Sequence, residues 1–87
     1  MRSMFRYAVP IDDQAYEIYL TSEPVAVANS TRTSLEFWAE HNDDSGQLRY
    51  FQVFGTGHPL PKNAQWIGTC PRTADGLVWH LYELIHD

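Results

Sequence analysis

Apolar residues recur at every second position along most of this chain, which is the spacing of strands that cover one face and wet the other. Phe5, Tyr7 and Val9 alternate with Arg6 and Ala8, and Pro10, lacking an N–H, ends ladder pairing there. Asp12 and Asp13 mark a turn, because short acidic side chains bond to nearby backbone N–H groups. Tyr16, Ile18 and Leu20 then share a face opposite Glu17 and Tyr19. Val25 and Val27 predict a short third strand opened by Pro24. Over residues 35–41 the alternation is cleanest: Leu35, Phe37 and Ala39 point one way, Glu36, Trp38 and Glu40 the other.

The polar run 41–46, ending in Gly46, reads as the loop of a hairpin. Residues 48–54 follow, apolar on both faces, with Leu48, Tyr50 and Phe54 against Phe51 and Val53. Such a pattern predicts a central strand covered on both sides. Residues 55–61 break it, a short strand is expected over 65–69, a turn over 70–76, and a last strand over 77–84. No window of a dozen residues carries a 3.6 period; only 11–19 admits a helical turn, with Asp12 as its cap. The expected fold is all-β, a small antiparallel sandwich or partly open barrel of six to seven short strands.

Composition narrows the class. Eighty-seven residues suit a single domain spanning 1–87, and one Cys cannot form an internal disulfide. The chain therefore has to hold itself by packing, and four Phe, five Tyr and three Trp supply the area for it. Those rings exceed what so small a core encloses, so some are expected to face outward. Six Lys plus Arg against eleven Asp plus Glu give a net charge of -5. An acidic chain without a cationic stripe argues against nucleic acid as a partner, despite its aromatics. No apolar run is long enough to cross a bilayer, and no export signal is evident, so no membrane partner is expected.

Candidate chemistry is sparse. The string Gly55-Thr56-Gly57-His58-Pro59-Leu60-Pro61 looks superficially like a phosphate loop. Pro59 and Pro61 forbid the helix such a loop must open, and no Gly-Lys-Ser/Thr follows. Its glycines instead suit a sharp exit from a strand, with His58 to Pro61 running on in extended form and Leu60 plugging one end of the fold. Four His stand at 41, 58, 80 and 86 without metal-ligand spacing, and Cys70 has no second Cys for zinc. No metal, cofactor or catalytic residue is assigned, and no nucleophile motif supports an enzyme. Cys70 is expected to be a reduced, unreactive thiol. Trp38 flanked by Glu36 and Glu40 forms, with Tyr19, a candidate apolar-acidic binding patch. The other reading makes Trp38 a second-layer core residue with the two carboxylates at its rims; both stay open here.

The same Gly-Thr-Gly-His-Pro-Leu-Pro string, with Trp66-Ile67-Gly68-Thr69 and Gly76-Leu77-Val78-Trp79-His80-Leu81-Tyr82-Glu83, resembles a family of small bacteriophage and prophage proteins bearing a domain of unknown function. The opening Phe5-x-Tyr7-x-Val9-Pro10-Ile11-Asp12-Asp13 is similar to the start of that family, while residues 21–47 depart from it. The resemblance implies an accessory protein in the host cytoplasm and carries no activity. The leading expectation is a non-catalytic protein-binding module that engages, and by binding inhibits, a host protein; self-association as a homodimer is a variant of it. The alternative is a small-ligand binder or sponge, its pocket rimmed by residues 55–61 and lined by His58, Trp66 and His80.

Overall fold

The expected alternation becomes strand along nearly the whole chain. The computed structural model describes residues 1–85, and no helix occurs among them. Seven strands form: β1 (Ser3–Pro10), β2 (Tyr16–Leu20), β3 (Pro24–Asn29), β4 (Ser34–His41), β5 (Gln47–Gly55), β6 (Ala64–Thr69) and β7 (Trp79–Leu84). They make a three-stranded sheet in the order β1-β4-β3 and a four-stranded sheet in the order β2-β5-β7-β6, all pairs antiparallel. The sheets pack as a small sandwich and do not close into a barrel.

Burial follows the predicted parity. Val9, Leu35, Phe37 and Ala39 from the first sheet are fully enclosed against Leu20, Phe51, Val53 and Leu81 from the second. Rings join the layers: Tyr7 stacks on Phe37 at 5.1 Å, and Phe37 meets Phe51 at 5.0 Å between centroids. A buried aromatic side chain removes roughly 150–250 Å² from water, so this column is the largest single share of the core.

Several expectations change. Residues 41–46 do not close a hairpin: both sides of β4 are taken by β1 and β3, so the chain must cross to the other sheet before β5 can pair. Gly46 is required at that crossing because a Cβ there would run into the Leu20 carbonyl. Strand β5 is central in its sheet, between β2 and β7, yet only its Phe51 and Val53 face meets the other sheet. On the outer face Phe54 is buried instead by the edge of the Tyr82 ring, 5.5 Å away and nearly perpendicular. No helical turn forms over 11–19; Asp12 accepts from the Gln14 N–H and from the Tyr16 hydroxyl, which turns the chain directly into β2. The last strand begins at Trp79, since Leu77 is tied back to Thr73 by hydrogen bonds in both directions and stays in the turn. Leu60 plugs nothing and lies exposed.

The ring column sets an expectation for stability. Phe37→Ala is expected to lower the unfolding free energy by about 3–5 kcal/mol in urea titrations. Phe5→Ala, whose ring is half-exposed, stacked on His41 and tilted against Tyr7 at 6.5 Å, should lose about 1 kcal/mol. Equal losses at the two positions would contradict the packing described.

Candidate functional site

Strand parity assigns the outward residues of each sheet. On β4, Glu36, Trp38 and Glu40 face away from the core, so the second-layer reading of Trp38 does not hold. Trp38 is half-buried, level with Arg6 of β1 and Ala26 of β3. Its flanking carboxylates are engaged: Glu36 lies 3.7 Å from Arg6 and Glu40 3.4 Å from Arg2. Tyr19 stands on the outer face of the other sheet, opposite Leu48, and does not join Trp38. The patch as composed from the sequence is therefore split between two faces.

The outer face of the four-stranded sheet gathers more. Tyr19 and Leu48 pair at one corner, Gln52, Tyr82 and Trp66 form a row across β5, β7 and β6, and Phe54, His80 and Thr69 form the next. Trp66 is 57 % exposed, Leu48 55 % and Tyr19 47 %. Hydrogen bonds hold several of these groups in place. The Tyr19 hydroxyl accepts from the Gly46 N–H at 2.8 Å, and the Tyr50 hydroxyl donates to Glu17 at 2.6 Å, which pushes the Tyr50 phenol up. The Trp66 indole N–H donates to Thr69 Oγ1 at 2.9 Å. Thr69 Oγ1 is 2.9 Å from His80 Nδ1, and Thr56 Oγ1 is 2.8 Å from His80 Nε2. Both ring nitrogens of His80 thus have hydroxyl partners, which fixes the ring as part of the surface.

His58 goes elsewhere. Gly57 takes φ +88°, the conformation a turn of residues 55–58 needs at its third position. His58 N–H donates to the Gly55 carbonyl at 3.1 Å, while its Nδ1 accepts from the Gly55 N–H at 3.2 Å. A cleft of about 270 Å³ does open there, lined by Thr56, His58, Arg72, Leu77 and Trp79 among others, but Trp66 and His80 are not in its walls. A larger cleft of about 510 Å³ lies between the β3–β4 turn and residues 73–77, with Trp79 and Leu77 inside and the Arg32–Asp75 pair at 3.6 Å beside it. Among the described residues no group of three or more His, Cys, Asp or Glu could hold a metal ion, and no helix is long and apolar enough to cross a membrane. His86 lies outside the described residues.

One arrangement went unread in the sequence. Arg49 and Glu83 occupy inward positions of β5 and β7, diagonal across the ladder, and form a two-pronged pair at 2.7 and 2.6 Å. Arg49 also reaches Glu23 and sits 5.9 Å above the Phe51 ring. The bond to Glu83 is the main reason the guanidinium is held even more firmly protonated than usual, against the opposing effect of burial. Opposite charges at covered positions of two strands are the sequence signal for such a pair.

Glu83→Ala is expected to lose about 3 kcal/mol of stability, the lower end for a broken buried pair because Arg49 retains Glu23. The double change Arg49→Met with Glu83→Leu should recover most of that in the same urea titration. Burial pushes the Cys70 thiol up. A thiol pKa raised by folding favours the folded state below the ordinary thiol value and loses that contribution as pH climbs through the raised one. Labelling of Cys70 by a disulfide reagent near pH 8 should therefore be slow, and at least about a hundredfold faster once urea unfolds the chain. Rapid labelling of the native protein would contradict the buried placement.

Comparison with the curated proteins and with the solved structures gave no match. A family profile matches residues 1–87, the full length, and it describes a domain of unknown function, DUF7352. The chain belongs to that family.

Proposed function

We propose that the protein is a non-catalytic binding module whose contact surface is the outer face of the four-stranded sheet. The observation that carries this reading is the co-facial exposure of Tyr19, Leu48 and Trp66, two of them large rings held by hydrogen bonds. Rings already fixed before contact lose little conformational freedom on binding, and Trp and Tyr dominate the energetics of protein interfaces. The partner class is a folded protein with a basic surface, because a net charge of -5 steers such a partner inward. A phage-type setting, with a host protein blocked in the host cytoplasm, is the biological context we propose; its support is the motif resemblance over residues 51–83. A ligand pocket rimmed by residues 55–61 is the weaker reading, since only His58 of its three expected lining residues is there.

The test is affinity capture from a bacterial lysate, followed by titration of the purified partner against variants. Trp66→Ala should weaken binding by at least about thirtyfold, the loss typical of a hot-spot ring. Tyr19→Ala should weaken it measurably, and Trp38→Ala should leave it within about twofold. Association should slow as salt rises. A partner that depends on Trp38 and ignores Trp66 would overturn the choice of face, and capture of no specific protein would overturn the module itself.

A further inference from the structure

The two sheets leave four edges, and one differs from the rest. Strand β3 opens on Pro24 and shifts register at Val25, β6 shifts register at Ile67, and β2 is only five residues long. Proline, bulges and brevity are the usual means of blunting an edge. Strand β1 has neither bulge nor brevity: it runs eight residues in unbroken register with β4, and its one proline stands at the last pair, Pro10↔Ser34, beyond the stretch from Met4 to Ala8.

The ladder also shows which backbone groups face outward. Ile11 N–H donates to the Thr33 carbonyl, and the register continues as Val9↔Leu35, Tyr7↔Phe37 and Phe5↔Ala39. Odd residues therefore exchange bonds with β4, and the N–H and C=O groups of Met4, Arg6 and Ala8 point away from the sheet. All three residues are exposed. Phe5 adds a second oddity. It lies on the inward face of β1, yet it is 44 % exposed, so the four-stranded sheet does not reach that half of the strand.

We propose that β1 pairs antiparallel with β1 of a second copy, about a two-fold axis through Phe5, joining the two three-stranded sheets into one of six strands. Charge disfavours the two adjacent registers. A two-fold at Arg6 sets Arg6 directly opposite itself, and one at Met4 sets Arg2 opposite Arg6; like charges so placed repel. With the axis at Phe5, Met4 faces the second copy's Arg6, Arg2 faces its Ala8, and no like-charged pair occurs. The two Phe5 rings then meet at a non-hydrogen-bonded position, where side chains approach most closely, and cover one another. Antiparallel pairing also sets the two sandwich bodies at opposite ends of the paired segment, since each is centred toward its own Val9. The interface is self-complementary, as a closed dimer requires.

Sedimentation equilibrium of the full chain from micromolar to millimolar concentration should give twice the 10.0 kDa chain mass at the upper end. Arg6→Pro removes an outward N–H and leaves the β1–β4 bonds intact, so it should weaken the dimer at least about tenfold while the circular dichroism spectrum is kept. Under mild oxidation Phe5→Cys should link two chains, because facing Cα atoms about 4.5 Å apart suit a disulfide, and Tyr7→Cys should not. Cys70 is buried and does not compete. A monomer throughout the concentration range, a dimer indifferent to Arg6→Pro, or cross-linking through Tyr7→Cys in place of Phe5→Cys would each overturn the proposal.

Discussion

The column of rings from Tyr7 through Phe37 to Phe51 is the joint on which the two sheets turn. Among the described residues the two sheets share no hydrogen-bonded ladder, so side-chain packing and the chain crossings hold them together. Because side chains alternate along a strand, fixing Phe37 inward fixes Leu35 and Ala39 with it and sends Glu36, Trp38 and Glu40 to solvent. Phe51 does the same for the second sheet, sending Tyr50, Gln52 and Phe54 outward and, across the ladders, Tyr82, His80 and Trp66 with them. A slip of one residue would exchange the surface for the core, which is why the location of every candidate site residue on β4, β5, β6 and β7 follows from two phenylalanines.

Alternation was legible because each sheet covers one face only, and a half-covered strand writes its geometry into the sequence at period two. The strands containing Tyr16, Ile18 and Leu20, or Leu35, Phe37 and Ala39, could be drawn from that pattern alone. Pairing could not, since the same pattern fits any neighbour. Thus residues 41–46 looked like a hairpin loop when β4 already had two partners, and β7 inserts between β5 and β6 with no local sign of doing so. The two-sided apolarity of 48–54 was misleading for a different reason. Leu48 and Tyr50 belong to an outer face that the other sheet does not cover, and Phe54, on the same face, is buried against the edge of the Tyr82 ring.

The candidate site was legible residue by residue and not as a group. The sequence groups Tyr19 with Trp38, and Trp66 and His80 with His58; only the ladders β2-β5-β7-β6 bring Tyr19, Trp66 and His80 to one surface. The Arg49–Glu83 pair was missed because each member, seen on its own, resembles an ordinary wetted charge. Its enclosure depends on both strands turning the same face to the core, a fact of pairing that local spacing does not carry.

The two outer faces differ in what contact would demand of them. On the three-stranded sheet Trp38 sits among Arg2, Arg6, Glu36 and Glu40, whose charges already neutralise one another. A partner covering that face must strip water from four charged groups and gains little in return, because their attraction is already realised within the chain. On the four-stranded sheet the exposed rings and apolar side chains are Tyr19, Leu48 and Trp66, beside one carboxylate, Glu17, that accepts from the Tyr50 hydroxyl. Other polar atoms are largely satisfied inside the surface by Thr69, Thr56 and the Gly46 N–H. Covering those rings removes apolar area from water without opening any ion pair, and the Trp66 indole N–H remains bonded to Thr69 throughout. That difference in desolvation, and not the count of aromatic rings on either side, is what favours the four-stranded face over the three-stranded one as the proposed contact surface.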